Sequence, residues 1–171
     1  LACALVLGSN IGTTIPPILA SMSGNVAAKR ASMGHLLFNL LGTLWCLIIF
    51  VPFANFNAWL TEAIGQGDPN ALYNYVTGLE ATSPELYNHL FDNSLPASHE
   101  VIRNIALMQM SVSFGLSIFH TTFNLVNVTV MIWLTGLYVR IVEWLIPSKN
   151  RDDEDFTLKF ISGGLMSASE L

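Results

Sequence analysis

Apolar positions in this chain fall into long unbroken tracts, and the tracts set the elements. From Leu36 to Phe53 the segment LLFNLLGTLWCLIIFVPF carries no charge. With Met33 to His35 ahead of it the run reaches about twenty residues, enough to cross a hydrocarbon core of about 30 Å as a helix. It predicts a membrane span within residues 25–54, led by Ala27, Ala28, Lys29 and Arg30 and closing near Pro52 and Asn55. A second uncharged tract runs from Ile105 to Val139. At about 1.5 Å per residue it would be about 50 Å long, too long for one simple crossing. It predicts a transmembrane helix or helix pair within residues 104–147, with a break or kink around Phe119 to Asn124. Arg140 and Glu143 follow as an i, i+3 pair able to meet at the interface. Trp133, Tyr138 and Trp144 suit an aromatic belt, and Pro147 stops the helix.

The first 24 residues are equally apolar but interrupted. LACALVLGSNIGTTIPPILASM holds Gly8, Gly12, Pro16 and Pro17, and each Gly costs a helix interior about 1 kcal/mol and each Pro about 3. Irregular backbone survives in lipid only where it faces protein, water or an ion. One reading is therefore a discontinuous helix at a binding site, with Ser9, Asn10, Thr13 and Thr14 supplying oxygens and donors beside unwound backbone. The other is structural, since Gly8 and Gly12 also form GxxxG, the spacing of a close helix–helix seam. A phosphate loop fits poorly, because Thr13 stands where that motif needs Lys.

Between the two tracts, residues 55–103 form a polar excursion with Glu62, Asp68, Glu80, Glu85, Asp92 and Glu100 against the single cation Arg103. Lys29, Arg30, Arg140, Lys149, Arg151 and Lys159 sit at the other ends of the spans. The positive-inside rule then puts the excursion outside and the tail inside. Asp68 before Pro69 and Ser83 before Pro84 read as helix starts and Gly78 as a stop, giving an ordered helical cap. Residues 148–171 read as a charged linker, SKNRDDED, followed by the entry to a further domain.

Composition narrows the function. The chain is 52% hydrophobic and only 11% charged, with a net charge of -5, and it has no basic stripe for nucleic acid. Cys3 and Cys46 lie in apolar stretches without the Cys or His neighbours of a zinc site. No nucleophile stands near a base, and the carboxylates cluster outside the spans, so no enzyme and no cofactor are expected. The expected class is all-α and polytopic: a broken helix, two further spans and an extracytoplasmic helical cap. The chain also opens inside an apolar run and reads as an excerpt of a longer protein.

An internal echo adds a polar face. GHLLFNLLGT and FHTTFNLVNV share H-x-x-F-N, aligning His35 and Asn39 with His120 and Asn124. At i and i+4 each pair shares one helix face, and polar groups at membrane depth usually turn toward the bundle interior. Hydrogen bonding to neighbouring helices and a His-based proton relay or metal site are the two readings. The second lacks a carboxylate in either span.

GSNIGTT, then AAKRASMGHLLFNLLGT, then FHTTFNLV, in this order across Leu1 to Pro147, resemble the bacterial branch of the sodium-phosphate cotransporter family. The resemblance implies two inverted repeats, each with a QSSS-type turn and a GxNIGTT-type broken helix, this chain being the latter part of the second. It implies that Ser9, Asn10, Thr13 and Thr14 help form the sodium and phosphate region, with Asn10 and Thr13 on sodium; Ser9 stands where the family commonly has Ala. The first repeat, the QSSS-type motif and a PhoU-like cytoplasmic domain would be partners from the same protein. The implied activity is sodium-coupled phosphate symport by alternating access in a bacterial plasma membrane. A non-transporting packing or partner-binding module, and a carrier of another oxyanion, remain the rivals.

The charge distribution makes a topological prediction. Single cysteines at Asp92 and Lys149, in a background lacking Cys3 and Cys46, should be modified by an impermeant thiol reagent from opposite sides of intact cells, Asp92 from outside. Modification of both from one side would overturn the arrangement.

Overall fold

The computed structural model describes residues 2–148 except 93, 97 and 98. Among them the elements are all helical: α1 Ala2–Gly12, α2 Ile15–Ser21, α3 Val26–Ile48, α4 Phe50–Ala63, α5 Ala71–Thr82, α6 Pro84–Phe91, α7 Glu100–Trp133 and α8 Thr135–Leu145. Three stretches are long and apolar enough to cross a membrane: Ala2–Ser21, Val26–Ile48 and Glu100–Trp133. The chain is an all-α membrane protein, as its apolar tracts require. The charged tail from residue 149 onward lies outside the described residues.

Several boundaries differ from the sequence reading, each for a backbone reason. The helix does not break at Phe119 to Asn124; α7 runs through to Trp133. Thr122 Oγ1 donates to Ile118 O at 2.8 Å and Asn124 Nδ2 to His120 O at 2.9 Å. Such side chains lean on the ladder without removing a backbone N–H, so they do not cut it. The break falls at Leu134, whose N–H bonds Met131 O three residues back. The first span ends earlier than Pro52, at Ile48. Pro52 has no N–H to give the Ile48 carbonyl, so the ladder fails one turn upstream and Pro52 sits in the first turn of α4. Asn55 is therefore no boundary, and α4 continues to Ala63.

In the polar excursion, two short helices form. Pro84 opens α6 behind Ser83. Asp68 acts one turn ahead of α5, its Oδ1 accepting the Asn70 N–H at 2.8 Å. Gly78 lies inside α5 and stops nothing, because a lone Gly keeps its N–H. Nor do Arg140 and Glu143 carry the expected pair: Glu143 Oε1 lies 3.7 Å from Arg30 Nη1. Arg30 Nε also donates to Ile146 O at 3.1 Å. The start of α3 and the end of α8 thus share one end of the molecule, which agrees with the cations of both sitting on one side.

The frame is an antiparallel pair, α3 and α4 against α7 and α8. Tyr138 OH donates to Gly34 O, Asn127 Nδ2 to Phe38 O at 3.1 Å, and Trp45 Nε1 to Asn127 Oδ1 at 3.3 Å. Trp45 stacks on Phe123 at 5.7 Å, and Phe53 meets Phe119 edge-on at 5.3 Å. Farther along, Asn57 accepts from Thr122 across the α4–α7 seam. Gly67, at φ 79°, lets the α4–α5 turn lie against α7, since a Cβ there would stand 2.6 Å from Ser111 Oγ. Leu7 of α1 completes the buried cluster with Cys46, Phe53, Phe119 and Phe123.

Asn127 is the tightest polar contact of the frame, and Gly42 is the residue that admits it: any side chain at 42 would collide with the Asn127 amide. Gly42→Ala should destabilise the protein by about 1 to 3 kcal/mol through overpacking. Asn127→Leu should cost a similar amount, about 1 to 3 kcal/mol, by leaving Trp45 Nε1 without its acceptor. Thermal unfolding in detergent, followed by size exclusion, measures both; wild-type midpoints in both variants would show that this contact does not hold the frame.

Candidate functional site: a buried polar layer beside the broken helix

The first span is broken, but by its prolines rather than its glycines. Helix α1 is regular through Gly8 and Gly12, and the interruption is confined to Thr13 and Thr14. Glycine lowers helix propensity yet keeps its N–H, whereas Pro16 and Pro17 remove the donors that would serve the carbonyls of Gly12 and Thr13. Thr14 N–H turns back to Ile11 O at 3.0 Å, and Ile18 N–H resumes the ladder at Thr14 O. Two adjacent backbone carbonyls are thereby deprived of their i+4 donors. Only Pro16 and Pro17 in the sequence announce them.

The neighbouring helix brings polar groups to the same level. Ser21 and Ser32 hydroxyls meet at 2.7 Å near one end of the α1–α2 span. At the other end Leu7 and Cys46 share the buried cluster. Counted back in antiparallel register from Ser21 and Ser32, Thr14 falls opposite Asn39 and Asn10 opposite Thr43 along the chain. All four are buried: Asn10 is 9% exposed, Thr43 7%, Asn39 5% and Thr14 0%. Two of these side chains are satisfied locally, Thr14 Oγ1 by Ile11 O at 2.7 Å and Asn39 Nδ2 by His35 O at 3.0 Å. Asn10 Nδ2 and Thr43 Oγ1 are buried with no hydrogen-bond partner. An unpaired buried polar group costs about 1 to 3 kcal/mol, so two at one level mark a place where the fold carries unmet hydrogen-bonding capacity.

The residues singled out from the sequence therefore divide. Asn10, Thr14 and Asn39 are buried. Ser9 and Thr13 are exposed, with Thr13 Oγ1 donating to Asn10 O at 2.8 Å. Gly8 and Gly12 look into open space; a Cβ at either would meet nothing within 4 Å, so no described helix uses the GxxxG spacing as a seam. His35 and His120 are exposed, and Asn124 is only partly buried on α7. The echo does repeat one local device, because Asn39 and Asn124 each donate to the carbonyl of the His four residues earlier.

Thr43 escaped the sequence reading, as did Asn57, Thr61 and Asn127, all buried. The available signal was a polar residue inside an apolar tract on the same face as Asn39, at i+4. A separate groove of about 570 Å³ runs between α4, α5 and α7, lined in part by Asn57, Asn70, Tyr73 and Phe119. It contains none of the GSNIGTT residues.

No family model matches the chain, and no solved structure matches it. Among curated proteins it is 30% identical over 148 residues to "Uncharacterized protein YqeW" of Bacillus subtilis, covering 86% of this chain and 33% of that protein. It is 41% identical over 54 residues to "Putative inorganic phosphate export protein YjbB" of Salmonella typhimurium, covering 32% of this chain and 10% of the relative. To the protein of the same name in Escherichia coli K12 it is 37% identical over 65 residues, 38% of this chain and 11% of the relative. The chain thus spans a third of the Bacillus protein and about a tenth of the other two.

The unpaired hydroxyl of Thr43 yields a direct test. In buffer free of sodium and phosphate, Thr43→Val removes a buried group that has no partner, so its unfolding temperature should equal or exceed that of the wild type. A clear fall in the thermal midpoint would show that the hydroxyl is already bonded and that the layer has no spare capacity.

Proposed function

We propose that this chain is part of a membrane transporter that moves inorganic phosphate together with sodium, by alternating access, in a bacterial plasma membrane. The observation that carries the reading is the buried polar layer with two unpaired atoms beside a proline-broken span. The names of the Salmonella and Escherichia relatives suggest phosphate as the substrate class. Residues 55–103 would lie outside and the tail inside. The remaining ligands, a first repeat and a PhoU-like cytoplasmic domain would be partners from the same polypeptide.

In this reading the chain's own groups divide the work. Sodium is a hard cation that takes neutral oxygens, and the freed carbonyls of Gly12 and Thr13 are of that kind. Thr13 Oγ1 spends its hydrogen on Asn10 O, which leaves lone pairs for a cation. Asn10 offers both kinds of group, an oxygen to a cation and Nδ2 to an acceptor such as a phosphate oxygen. Ser9, exposed on the same helix, and Thr14, buried at the break, complete the region. The cation offsets the charge of the anion at a shared site, and the inward sodium gradient drives uptake.

The word "export" in the relatives' names favours a second reading of direction, in which phosphate leaves the cell. The complete polypeptide in vesicles with an imposed sodium gradient separates the two. Under symport, phosphate follows sodium, and reversing the gradient reverses the flux. Phosphate efflux indifferent to sodium would support the export reading and overturn the coupling. Competition by arsenate or sulfate tests the anion, and complete insensitivity to every ion would return the chain to a packing or partner-binding module.

Residue roles follow from the same experiment. Losing one neutral oxygen ligand should cost about 1 to 3 kcal/mol. Asn10→Ala and Thr13→Val should therefore raise the sodium concentration for half-maximal transport roughly tenfold to a hundredfold, at about 1.4 kcal/mol per tenfold. Surface abundance should stay near wild type. An unchanged sodium dependence in both variants would remove the ligand role.

A further inference from the structure

Helix α7 carries three chemically distinct faces along one length, and only one of them is used within the described chain. Gly115, Phe119, Phe123 and Asn127 form the first, buried against α1, α3 and α4. Leu107, Met110, Phe114, Leu125 and Ile132 form the second, all exposed and all apolar. The third bears Gln109, Ser113, Ser117, His120 and Asn124, recurring at i+4, i+8, i+11 and i+15, which at about 100° per residue is one continuous sector. The first four are exposed and Asn124 is partly so. From Gln109 to Asn124 the sector is about 23 Å long, shorter than the hydrocarbon core of about 30 Å.

Apart from Thr121, which lies in the apolar sector, polar and apolar residues are sorted between the two exposed sectors, and one helix cannot present both to lipid at equal cost. The apolar sector has the chemistry of a lipid face. We infer that the polar sector is an internal contact surface, covered by a further membrane-embedded segment of the same polypeptide that offers hydrogen-bonding groups. Ser113 Oγ donates to Gln109 O and Ser117 Oγ to Ser113 O, both at 3.0 Å, and Asn124 Nδ2 donates to His120 O. With those hydrogens spent on their own helix, Ser113 and Ser117 turn acceptor lone pairs outward, while Gln109, His120 and Asn124 carry N–H groups beside their acceptors. A partner with polar groups of both kinds satisfies the sector. Ser113 and Ser117 are small residues four apart, which lets a second backbone approach closely. The Bacillus relative, of which this chain spans 33%, is long enough to supply such a segment. This inference does not depend on what is transported.

The test uses the complete polypeptide in native membranes, in a background with Cys3 and Cys46 replaced by Ala. Single cysteines are placed at Ser113 and Ser117, and separately at Leu107, Phe114 and Leu125. A membrane-soluble maleimide should modify the three apolar-sector positions at least tenfold faster than Ser113 and Ser117. A charged, impermeant thiosulfonate should modify neither Ser113 nor Ser117. Ready modification of those two by the charged reagent would place the sector against water, and equal maleimide rates in both sectors would place it against lipid; either result overturns the inference. As a packing control, Ser117→Ala should keep the wild-type unfolding temperature in detergent while Ser117→Leu lowers it. Equal midpoints for the two variants would also count against a covered face.

Discussion

In a medium without water, a polar side chain on a helix has two outlets, the carbonyls of its own helix or a group on a neighbour. Nearly every polar residue in these spans is sorted by that constraint. Thr13, Thr14, Asn39, Ser113, Ser117 and Asn124 take the first outlet, and each donates three or four residues back along its own ladder. Asn127, Ser21 with Ser32, and Asn57 with Thr122 take the second, and these bonds tie α2 to α3 and both α3 and α4 to α7. Asn10 Nδ2 and Thr43 Oγ1 take neither. A group that the fold leaves without either outlet is the natural place to look for a ligand.

The break in the first span follows from the same accounting. A glycine loosens a helix by about 1 kcal/mol but leaves every hydrogen bond possible, whereas a proline deletes one outright. Two successive prolines therefore free two successive carbonyls, and the helix resumes as soon as the next N–H is available. At Pro52 the same deletion makes the joint between α3 and α4. A joint there turns the aromatic cluster of Trp45, Phe50 and Phe53 onto Phe119 and Phe123 of α7. The prolines thus set where the bundle bends, and the aromatic rings set what the bend packs against.

Burial of α7 on one face only, with a polar and an apolar face both open, fits a chain that covers a third of its Bacillus relative. The small residues Gly8 and Gly12 of α1 look into open space in the same way. Between membrane helices, close backbone approach and shared hydrogen bonds replace the hydrophobic drive that lipid cannot supply.

The sequence by itself determined the membrane class, the three apolar spans, the helical excursion and the presence of a break before Ile18, because tract length and the missing N–H of proline act locally. It also brought Asn10, Thr13 and Thr14 into view. It did not determine that Asn10, Thr14, Asn39 and Thr43 are all buried while Ser9 and Thr13 are exposed, or that Glu143 reaches Arg30 rather than Arg140. Nor did it show that α7 runs unbroken past Asn124. Those outcomes depend on helix rotation and register, which are fixed by contacts between residues far apart in the chain: Ser21 with Ser32, Trp45 with Phe123, Gly42 with Asn127. The partner of a polar side chain is chosen by whichever neighbour the packing brings within hydrogen-bond reach, and only the tertiary structure decides that.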